Sequence, residues 1–535
     1  MSRLATILIL TGVLLLMTQP VVAAEPDRGL MNQFDVARDG TLRERAADWR
    51  NGAIVYQVLV DRFAPPADRK AKERIYRAPR ALKKWDEVPC AGKFREDAQV
   101  WSHEIEFWGG DLAGLRGKLD YLQNLGVEVV YLNPIFESFT NHKYDAWDYH
   151  KVDPGFGTRE DLGRLAADLH GRGMRLVLDG VFNHMGRQSP MFQDALKNPH
   201  SRWRDFFQMA PGNGRGYVGW LDVPNLPELR LENPEVQDYL YRREDSVVQS
   251  YLRREGIDGW RLDVAFDLGF RFLADLTQAA HAARPGSVVI GEIWNYPEEW
   301  HPAVDAVMNM HGRKILLQML EGKLEPGLAA DMWEAMVQDA GLDHLLKAWL
   351  VLDNHDTPRL ATMLPADWQQ RMGRVLQFTL PGSVCLYYGS ELGMTGGQDP
   401  EMRAPMRWDL VADDPPLLRF HRDLIALRKR EPALRYGEFR KLLSAKTFAF
   451  LRRTNVAAET VVVVANPGPR AVKEFIQVRD SKMMDVTPLR DQLSDLQATV
   501  FSGCLEVTVP AHTVLVLKPV TGSSPKGYNR YDRIY

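Results

Sequence analysis

The chain has 535 residues, of which 45% are hydrophobic and 26% are charged, a composition typical of a globular protein and unlike that of a disordered one. Its formal net charge of −3 argues against nucleic acid or an anionic membrane as the main partner, so a neutral substrate fits better. The three cysteines, Cys90, Cys385 and Cys504, are too few for a disulfide scaffold and have no zinc-site spacing.

Residues 1–24 have the pattern of a secretory signal peptide. One arginine precedes an apolar stretch over residues 4–17, and small residues end the segment at Ala23 and Ala24. A retained membrane anchor is the weaker alternative, because the apolar run is short for a bilayer. We therefore expect an exported protein, periplasmic or extracellular, with no membrane span after cleavage of the signal.

Strand patterns alternate with amphipathic helical patterns from residue 53 to the 430s. Helical stretches such as REDLGRLAADLHGRG and PPLLRFHRDLIALRKR have apolar residues three and four apart. Eight alternating units predict an α/β fold, a (β/α)8 TIM barrel over residues 25–434, in preference to an open doubly wound sheet. The predicted strands begin at Ala53, Val127, Met174, Ile257, Ser287, Asp305, Lys347 and Ser383.

Two regions depart from this alternation. Residues 185–233 are rich in Gly, Pro, Trp and Arg and lack periodicity, which predicts a small inserted domain after the third strand, over the barrel mouth. Residues 435–520 contain the β-rich runs TFAFLRR, TVVVVAN, CLEVTVP and TVLVLKP, which predict a C-terminal antiparallel β-sandwich. Residues 521–535 have the composition of a polar tail.

Carboxylates follow or end four of the predicted strands, in the segments DGVFNH, DGWRLDV, GEIW and DNHD. A parallel barrel gathers the carboxyl ends of its strands around one pocket, so these side chains are expected to meet. Arg261 and Asp263 are two residues apart and share a strand face, and the guanidinium favours the ionised carboxylate that a nucleophile requires. Alone, this pair would be interpreted as a buried ion pair of the barrel.

Glu292 ends the next strand in the apolar run VVIGEIW, which favours the protonated acid that a general acid requires. With Asp263 it supplies the two carboxyl groups of a retaining glycosidase, and Asp356 adds a third acid suited to sugar hydroxyls. His184 and His355 could donate to the same hydroxyls, although either alone is more often structural. A metal hydrolase is the competing interpretation, but spacings such as HExxH are absent from the sequence.

The four segments resemble, in order, the signature regions of the α-amylase superfamily, glycoside hydrolase family 13. The resemblance extends over nearly the whole chain after the leader and includes YQVLVDRF, WGGDLAGLRGKLDYLQNLGVEVVYLNPIFES, NHKYDAWDYHKVDPGFG and YYGSELGMTGG. NHKYD and GWLDVPNLPELRLENPEV are most similar to the neopullulanase, cyclomaltodextrinase and maltogenic amylase group.

The resemblance implies a nucleophile at Asp263, a general acid/base at Glu292 and a transition-state stabiliser at Asp356. It also implies that five further residues complete the subsite for the cleaved sugar, with Tyr144 as its aromatic platform: Tyr144, Asp179, His184, Arg261 and His355. Taken alone, Tyr144 would be assigned to the core. Four other aromatic residues are candidates for the pocket: Trp147, Tyr149, Trp220 and Trp294.

Three departures from the group concern specificity. The group has an additional N-terminal β-domain, whereas few residues precede the first predicted strand here. Its insertion signature MPKLN is LPELR at residues 226–230, and the Asn-Glu pair after the nucleophile is Phe266-Asp267. That pair faces the aglycone side, so chain-length preference and transfer to sugar acceptors stay open.

Calcium is common in the superfamily, and the loop DRFAPPADRK offers Asp61 and Asp68. Without a regular spacing of oxygen ligands, a solvated turn is the preferred interpretation, and no cofactor is predicted to be required. The predicted function is a retaining glycoside hydrolase that cleaves α-1,4 bonds of maltooligosaccharides, cyclodextrins or related α-glucans. The alternatives are an α-glucan transglycosylase and a catalytically silent carbohydrate-binding protein.

Overall fold

The computed structural model describes residues 31–444 and 446–534; the predicted signal peptide lies outside them. Eight parallel strands form a closed barrel in which consecutive strands pair and the last pairs with the first. They are β1 (Ile54–Val58), β2 (Val129–Leu132), β3 (Arg175–Gly180), β4 (Gly259–Leu262), β5 (Val288–Ile293), β6 (Ala306–Asn309), β7 (Trp349–Val351) and β8 (Ser383–Tyr387). Each of these strands begins within two residues of a predicted start, so the predicted barrel is confirmed.

Helices cover the outside of the barrel, which is why its strands are apolar on both faces. The longer helices are α1 (Gln33–Ala47), α2 (Leu119–Leu125), α3 (Arg159–Gly171), α4 (Pro190–Lys197), α5 (Phe270–Ala283), α6 (Met310–Leu320), α7 (Pro326–Ala340), α8 (Asp367–Thr379) and α9 (Pro416–Arg430). Further helices include Val60–Phe63, Arg69–Ile75, Leu112–Arg116, Ala265–Leu268, Leu342–Lys347 and Pro432–Tyr436. Residues 294–305, between β5 and β6, form turns instead of a helix.

Helix α3 shows how local sequence sets these elements. Thr158 accepts a hydrogen bond from the backbone N–H of Asp161, whose side chain in turn accepts from the N–H of Thr158, a capping box that fixes the start of the helix. Its buried residues, Leu162, Leu165, Ala166 and Leu169, recur every three or four positions and form the stripe that packs on the barrel.

The predicted insertion, residues 185–233, contains α4 and a short hairpin of Met209–Ala210 with Gly216–Tyr217. Phe192 contacts the rings of Phe207 and Tyr217 edge to face, with centroids 4.9 and 4.8 Å apart. These three aromatic residues belong to the same apolar core as the barrel strands and so anchor the segment on the barrel.

The C-terminal region is one antiparallel sheet of eight strands. They are β9 (Glu438–Lys441), β10 (Phe448–Arg453), β11 (Val461–Asn466), β12 (Val472–Gln477), β13 (Thr487–Asp491), β14 (Gln497–Phe501), β15 (Cys504–Val509) and β16 (Thr513–Pro519). They pair in the order β9-β10-β11-β16-β13-β14-β15-β12. The four β-rich runs of the sequence are β10, β11, β15 and β16, and the antiparallel C-terminal fold is confirmed.

Strands β10 and β11 are buried on both faces. Phe448 and Phe450 belong to the apolar core shared with the barrel, whereas Ala449 and Leu451 belong to the core inside the C-terminal sheet. Successive side chains of a strand point to opposite faces, so one strand serves both cores. Arg452 on β10 donates to the carbonyls of Thr379 (3.0 Å) and Gly437 (3.0 Å) and joins barrel to sheet.

Two further sequence expectations concern cysteines and membrane spans. Cys385 is buried, Cys504 half-buried and Cys90 exposed, and each is a free thiol. Burial raises the pKa of the Cys385 thiol, which makes it a poor nucleophile. Within residues 31–444 and 446–534, every helix is too short or too polar to span a bilayer.

Strand β10 is buried on both faces, and a substitution on its barrel-facing side tests the core that the barrel and the C-terminal sheet share. Phe450→Ala removes a side chain that is 1% exposed and is expected to lower the free energy of unfolding by about 3–5 kcal/mol. Phe501→Ala, on β14 and 56% exposed, is the matched control and should change it by less than about 0.5 kcal/mol. Denaturant unfolding measures both, and equal effects would contradict the shared core.

Candidate active site

A cavity of about 440 Å³ lies at the carboxyl ends of the barrel strands. Asp263 follows β4, Glu292 lies in β5 and Asp356 follows β7, and all three line the cavity together with Tyr144, His184 and His355. The other lining residues are Glu104, His142, Trp220, Leu221, Leu226, Val264, Phe266, Trp294, Asp399 and Arg403. The four carboxylate-bearing segments therefore converge as the barrel geometry predicts.

Arg261 lies beneath this cavity, with a fully buried side chain, and contacts three carboxylates. Its Nη1 is 2.7 Å from Asp179 Oδ1 and 3.1 Å from Asp263 Oδ1, and its Nη2 is 3.0 Å from Glu292 Oε2. Arg261 and Asp179 do not line the cavity, so they can affect a ligand only through the side chains that lie between them and the cavity. One guanidinium keeps the carboxyl groups of Asp263 and Glu292 close together.

The charge of Arg261 competes with burial at Asp263. Burial raises the pKa of Asp263 well above its ordinary value; Arg261 opposes this rise, and the neighbouring acids Glu292 and Asp179 add to it. Removing a carboxylate from water disfavours its ionised form, as do like charges nearby. The ionised Asp263 therefore depends on the guanidinium beside it.

Glu292 is surrounded by hydrogen-bond donors. The backbone N–H of Val264 donates to Oε2 (2.9 Å), and the indole N–H of Trp294 donates to Oε1 (3.0 Å). With Arg261, these donors make the setting more polar than the apolar run VVIGEIW suggests. Val264 has a φ of +40°, which is strained for a β-branched residue, and this conformation allows its N–H to donate to the acid.

Tyr144 connects Asp179 to His355. Its hydroxyl donates to Asp179 Oδ2 (3.0 Å) and lies 2.6 Å from His355 Nε2, and the two rings are stacked with centroids 5.4 Å apart at 3°. Burial raises the pKa of Tyr144 well above its ordinary value, and the charge of Asp179 adds to this. The ring therefore enters the cavity as a neutral phenol.

Both predicted histidines are neutral at pH 7. Burial lowers the pKa of His355 well below its ordinary value, and the charges of Arg403 and Arg261 add to this. Gln57 Nε2 donates to its Nδ1 (2.8 Å), so the hydrogen is on Nε2, 3.0 Å from Asp356 Oδ2. Burial also lowers the pKa of His184 to about 3.

His184 has a free hydrogen-bonding position. Within the described part of the chain, its Nε2 is buried and has no hydrogen-bond partner, although the residue lines the cavity. A buried polar atom without a partner is unfavourable, so a ligand hydroxyl in the cavity would satisfy it.

Sequence reasoning missed Arg403, which borders Asp356. Arg403 Nη2 is 3.3 Å from Asp356 Oδ1, and Nη1 is 3.1 Å from Asp399 Oδ1; Asp399 Oδ2 in turn is 3.3 Å from His103 Nε2. Arg403 lies in a short turn, Glu401–Arg403, well after β8. The one signal for it was its position in the loop that follows a barrel strand.

The four pocket candidates divide into two pairs. Trp220 and Trp294 line the cavity. Trp147 packs instead on Phe139, with ring centroids 6.4 Å apart, and Tyr149 is buried and donates its hydroxyl to the carbonyl of His184. The structure thus places Trp147 and Tyr149 behind the cavity, where they support its walls.

The two candidate calcium ligands have other partners. Asp61 is fully buried; it accepts from the backbone N–H groups of Trp108 and Gly109 and pairs with Arg62 at 2.7 Å. The solvated turn predicted at Asp61 is therefore wrong. Asp68 accepts from Ala71 N and caps the helix Arg69–Ile75. Among the residues that the structure describes, there is no group of three or more His, Cys, Asp or Glu able to hold a metal ion.

Residues 57–437 match the family model described as alpha amylase, catalytic domain. The chain belongs to the alpha-amylase family. Among curated relatives, a cyclomaltodextrinase from Bacillus sp. is 34% identical over 435 residues, covering 78% of this chain and 73% of that protein. Neopullulanase 2 from Thermoactinomyces vulgaris is 33% identical over 454 residues, covering 81% and 72%.

Solved structures give the same family. A cyclomaltodextrinase structure is 30% identical with a TM-score of 0.74, covering 89% of this chain and 79% of that one. The cyclic α-maltosyl-(1→6)-maltose hydrolase of Arthrobacter globiformis is 26% identical with a TM-score of 0.72, covering 88% and 99%. The predicted family and group are confirmed, and the chain is an α-amylase-type glycosidase.

The environment of Asp263 predicts a pH dependence. A nucleophile must be ionised, so activity is lost as the pH falls through its pKa. The pKa of Asp263 is raised. The acid limb of kcat/KM should therefore lie above about pH 4, which is the ordinary pKa of an aspartate. Arg261→Gln removes the opposing charge and should move the limb to higher pH.

Rates measured across pH 3–8 test both expectations, with circular dichroism to check that Arg261→Gln folds. Arg253→Gln, at a side chain that is 41% exposed, is the control and should leave the limb in place. A wild-type acid limb below pH 4 would contradict the raised pKa.

Proposed function

We propose that the protein hydrolyses α-1,4 bonds of maltooligosaccharides, cyclodextrins or related α-glucans with retention of anomeric configuration. The observation that carries the proposal is the shared contact of Arg261 with Asp263 and Glu292. Retaining glycosidases hold their two carboxyl groups about 5–5.5 Å apart, closer than inverting enzymes, which must admit a water between them. Two carboxyl groups on one guanidinium suit the closer arrangement.

Asp263 would act as the nucleophile. Its carboxylate attacks the anomeric carbon while Glu292 gives a proton to the departing glycosidic oxygen, so the sugar–oxygen bond breaks as the glycosyl–aspartate bond forms. Glu292 then takes a proton from a water molecule, which displaces Asp263 and restores both groups. Two displacements at one carbon return the original configuration.

The remaining residues would hold the sugar. The neutral Nε2 of His184, buried without a partner among the described residues, suits a sugar hydroxyl, as does Asp356, a third carboxylate in the lining. Tyr144 offers an aromatic ring to the cleaved sugar, where an electron-rich face stabilises the developing positive charge. Arg261 and Asp179, beneath the cavity, would position Asp263 and Tyr144.

The general-acid role predicts a dependence on the leaving group. Glu292→Gln cannot protonate the glycosidic oxygen and should lower kcat/KM for maltotriose, which reports the first displacement, by roughly 10²–10⁴-fold. The kcat/KM for α-maltosyl fluoride, whose leaving group needs little protonation, should fall much less, although kcat for both substrates falls because Glu292 is also the base of the second displacement. Glu298→Gln, at an exposed residue of the following loop, is the control, and an equal loss of kcat/KM on both substrates would contradict the acid role.

The stereochemistry has its own test. The NMR spectrum of the first products from maltotriose or cyclodextrin should show α-anomers that then mutarotate. Initial release of β-anomers would exclude the double displacement. Asp263→Asn should abolish turnover, and full activity of this variant would instead favour a silent carbohydrate-binding protein and a contaminating enzyme.

A second candidate function is transfer of the glycosyl group to another sugar. Trp220, Phe266 and Trp294 line the same cavity as Glu292, and aromatic rings suit a sugar acceptor better than they suit water. Products longer than the substrate at high maltose concentration would support transfer. Strict hydrolysis under those conditions would exclude it.

We propose that no metal ion is required, because Asp61 and Asp68 are already used by backbone N–H groups. Dialysis against EDTA should therefore leave both activity and melting temperature unchanged. A fall in melting temperature that Ca²⁺ restores would contradict this proposal.

The proposed location is outside the cytoplasm, periplasmic or extracellular, on the pattern of residues 1–24. Fractionation of expressing cells, with N-terminal sequencing of the protein recovered, tests it. A mature chain that begins near Glu25 would support export, and full-length protein in the cytoplasm would exclude it.

A further inference from the structure

A second cavity lies between the N-terminal helix and the C-terminal sheet. It has a volume of about 590 Å³ and is lined mainly by the start of α1, by strands β9 and β10 and by the loop of residues 478–483 that follows β12. Within the part of the chain that the structure describes, it shares no lining residue with the active-site cavity. It is therefore a separate candidate for a ligand site.

This cavity has an excess of positive charge, and we call it the cationic cavity. Five basic residues line it, against two acids. They are Arg38, Arg440, Arg453, Arg479 and Lys482, against Asp35 and Asp480. The whole chain has a formal net charge of −3, so its composition does not explain a local excess of positive charge. The amino end of α1 is also in the lining and adds the partial positive charge of a helix start.

Both acids are already paired with members of this set. Asp35 Oδ1 is 3.0 Å from Arg38 Nη2, and its Oδ2 is 2.8 Å from Lys482 Nζ. Asp480 Oδ1 is 3.1 Å from Arg453 Nη1. Two carboxylates cannot neutralise five cations, so positive charge is left over in the cationic cavity.

Arg440 is surrounded by like charges. Its Nη1 donates to the carbonyl of Arg479 at 3.0 Å, which is a neutral acceptor. Burial lowers the pKa of Arg440 below its ordinary value, and the charges of Arg453 and Arg479 add to this, because neighbouring cations disfavour the charged form. An anion in the cavity would relieve this repulsion.

Arg453 has an unused donor. Its side chain is 7% exposed, and among the residues that the structure describes, its Nε is buried and has no hydrogen-bond partner. A buried guanidinium N–H without an acceptor is unfavourable. Because Arg453 lines the cationic cavity, a ligand that accepts hydrogen bonds would satisfy this group.

The arginines approach from different elements. Arg38 is on α1, Arg440 on β9 and Arg453 on β10, and Arg479 lies in the loop after β12. A phosphate group has about two negative charges at neutral pH and several acceptor oxygens that point in different directions. It therefore suits donors that converge from several sides better than a planar carboxylate does, and the guanidinium fork matches its oxygens.

We propose that the cationic cavity binds a phosphate group, either free phosphate or the phosphate of a small monoester, and that the bound anion ties α1 to the C-terminal sheet. This inference does not rest on the proposed function. Arg38 holds the anion from the helix, and Arg440 and Arg453 hold it from the sheet. The anion stabilises the contact between helix and sheet and takes no part in breaking the glycosidic bond.

Isothermal titration calorimetry tests the binding. Inorganic phosphate, titrated into phosphate-free protein at constant ionic strength, should give one saturable site. A parallel titration with α-glucose 1-phosphate distinguishes the two sources, because tighter binding of this ester assigns the site to a monoester and tighter binding of inorganic phosphate assigns it to the free anion. Sodium chloride at the same ionic strength should give no saturable heat.

Stability and hydrogen exchange test the link between helix and sheet. Phosphate at about 100 times its Kd should raise the melting temperature by a few degrees, because a ligand that binds only the folded state stabilises it. Amide exchange in residues 33–47 should slow at the same time. Unchanged exchange in α1 at saturating phosphate would contradict the link.

Arg440→Gln should weaken phosphate binding about tenfold or more, because it removes a charge-assisted hydrogen bond. Without phosphate, its melting temperature should equal or exceed that of the wild type, since one of several crowded cations is gone. An arginine with a purely structural role would instead lower it. Arg38→Gln, on the helix side, should weaken phosphate binding in the same way.

Arg490→Gln is the matched control. It removes the same charge from an exposed position on β13 and should leave phosphate affinity unchanged. The inference is overturned by the absence of a saturable site in the wild type, by wild-type affinity in both cavity variants, or by an equal loss of affinity in Arg490→Gln.

Discussion

The site depends on a single buried guanidinium. Three acids from three consecutive strands, β3 to β5, meet at Arg261, and buried like charges at this distance repel strongly in a medium that water does not screen. The pairing register makes this possible: Arg261 lies opposite Asp179 on β3 and Ile290 on β5, two residues before Glu292. A slip of one residue would turn the arginine out of the barrel.

Backbone geometry couples the two carboxylates a second time. The residue after Asp263 is Val264, whose left-handed conformation sends its N–H to Glu292. A displacement of Asp263 and Val264 would therefore also displace Glu292, and a displacement of Glu292 would displace them. Such strain persists where surrounding contacts enforce it, a pattern that is common where function needs a fixed geometry.

Much of this architecture could be predicted from the sequence. The eight barrel strands were predictable because buried parallel strands are continuous apolar runs, and the trio of carboxylates because such runs end at one face of the barrel. Strand β12, with alternating exposed and buried residues in VKEFIQ, was missed because a charged, half-exposed strand gives a weak signal.

Other features could not be predicted, since they depend on contacts between distant segments. Arg403 reaches Asp356 from beyond β8, and no spacing in the sequence indicates that approach. The sequence predicts a solvated turn at Asp61 because its loop has no regular spacing of oxygen ligands, yet the N–H groups of Trp108 and Gly109 satisfy the carboxylate inside the protein. Trp147 and Tyr149 show that motif membership alone does not separate residues of a wall from those behind it.

Strands β10 and β11 make the C-terminal sheet inseparable from the barrel. Phe448 and Phe450 contribute to one core while Ala449 and Leu451 contribute to another, so truncation before β9 would leave a wide apolar face on the remaining protein. Such a fragment would associate with itself or with membranes before it could act. Enzyme engineers who wish to graft new modules onto this scaffold therefore have to keep the sheet and add beyond it.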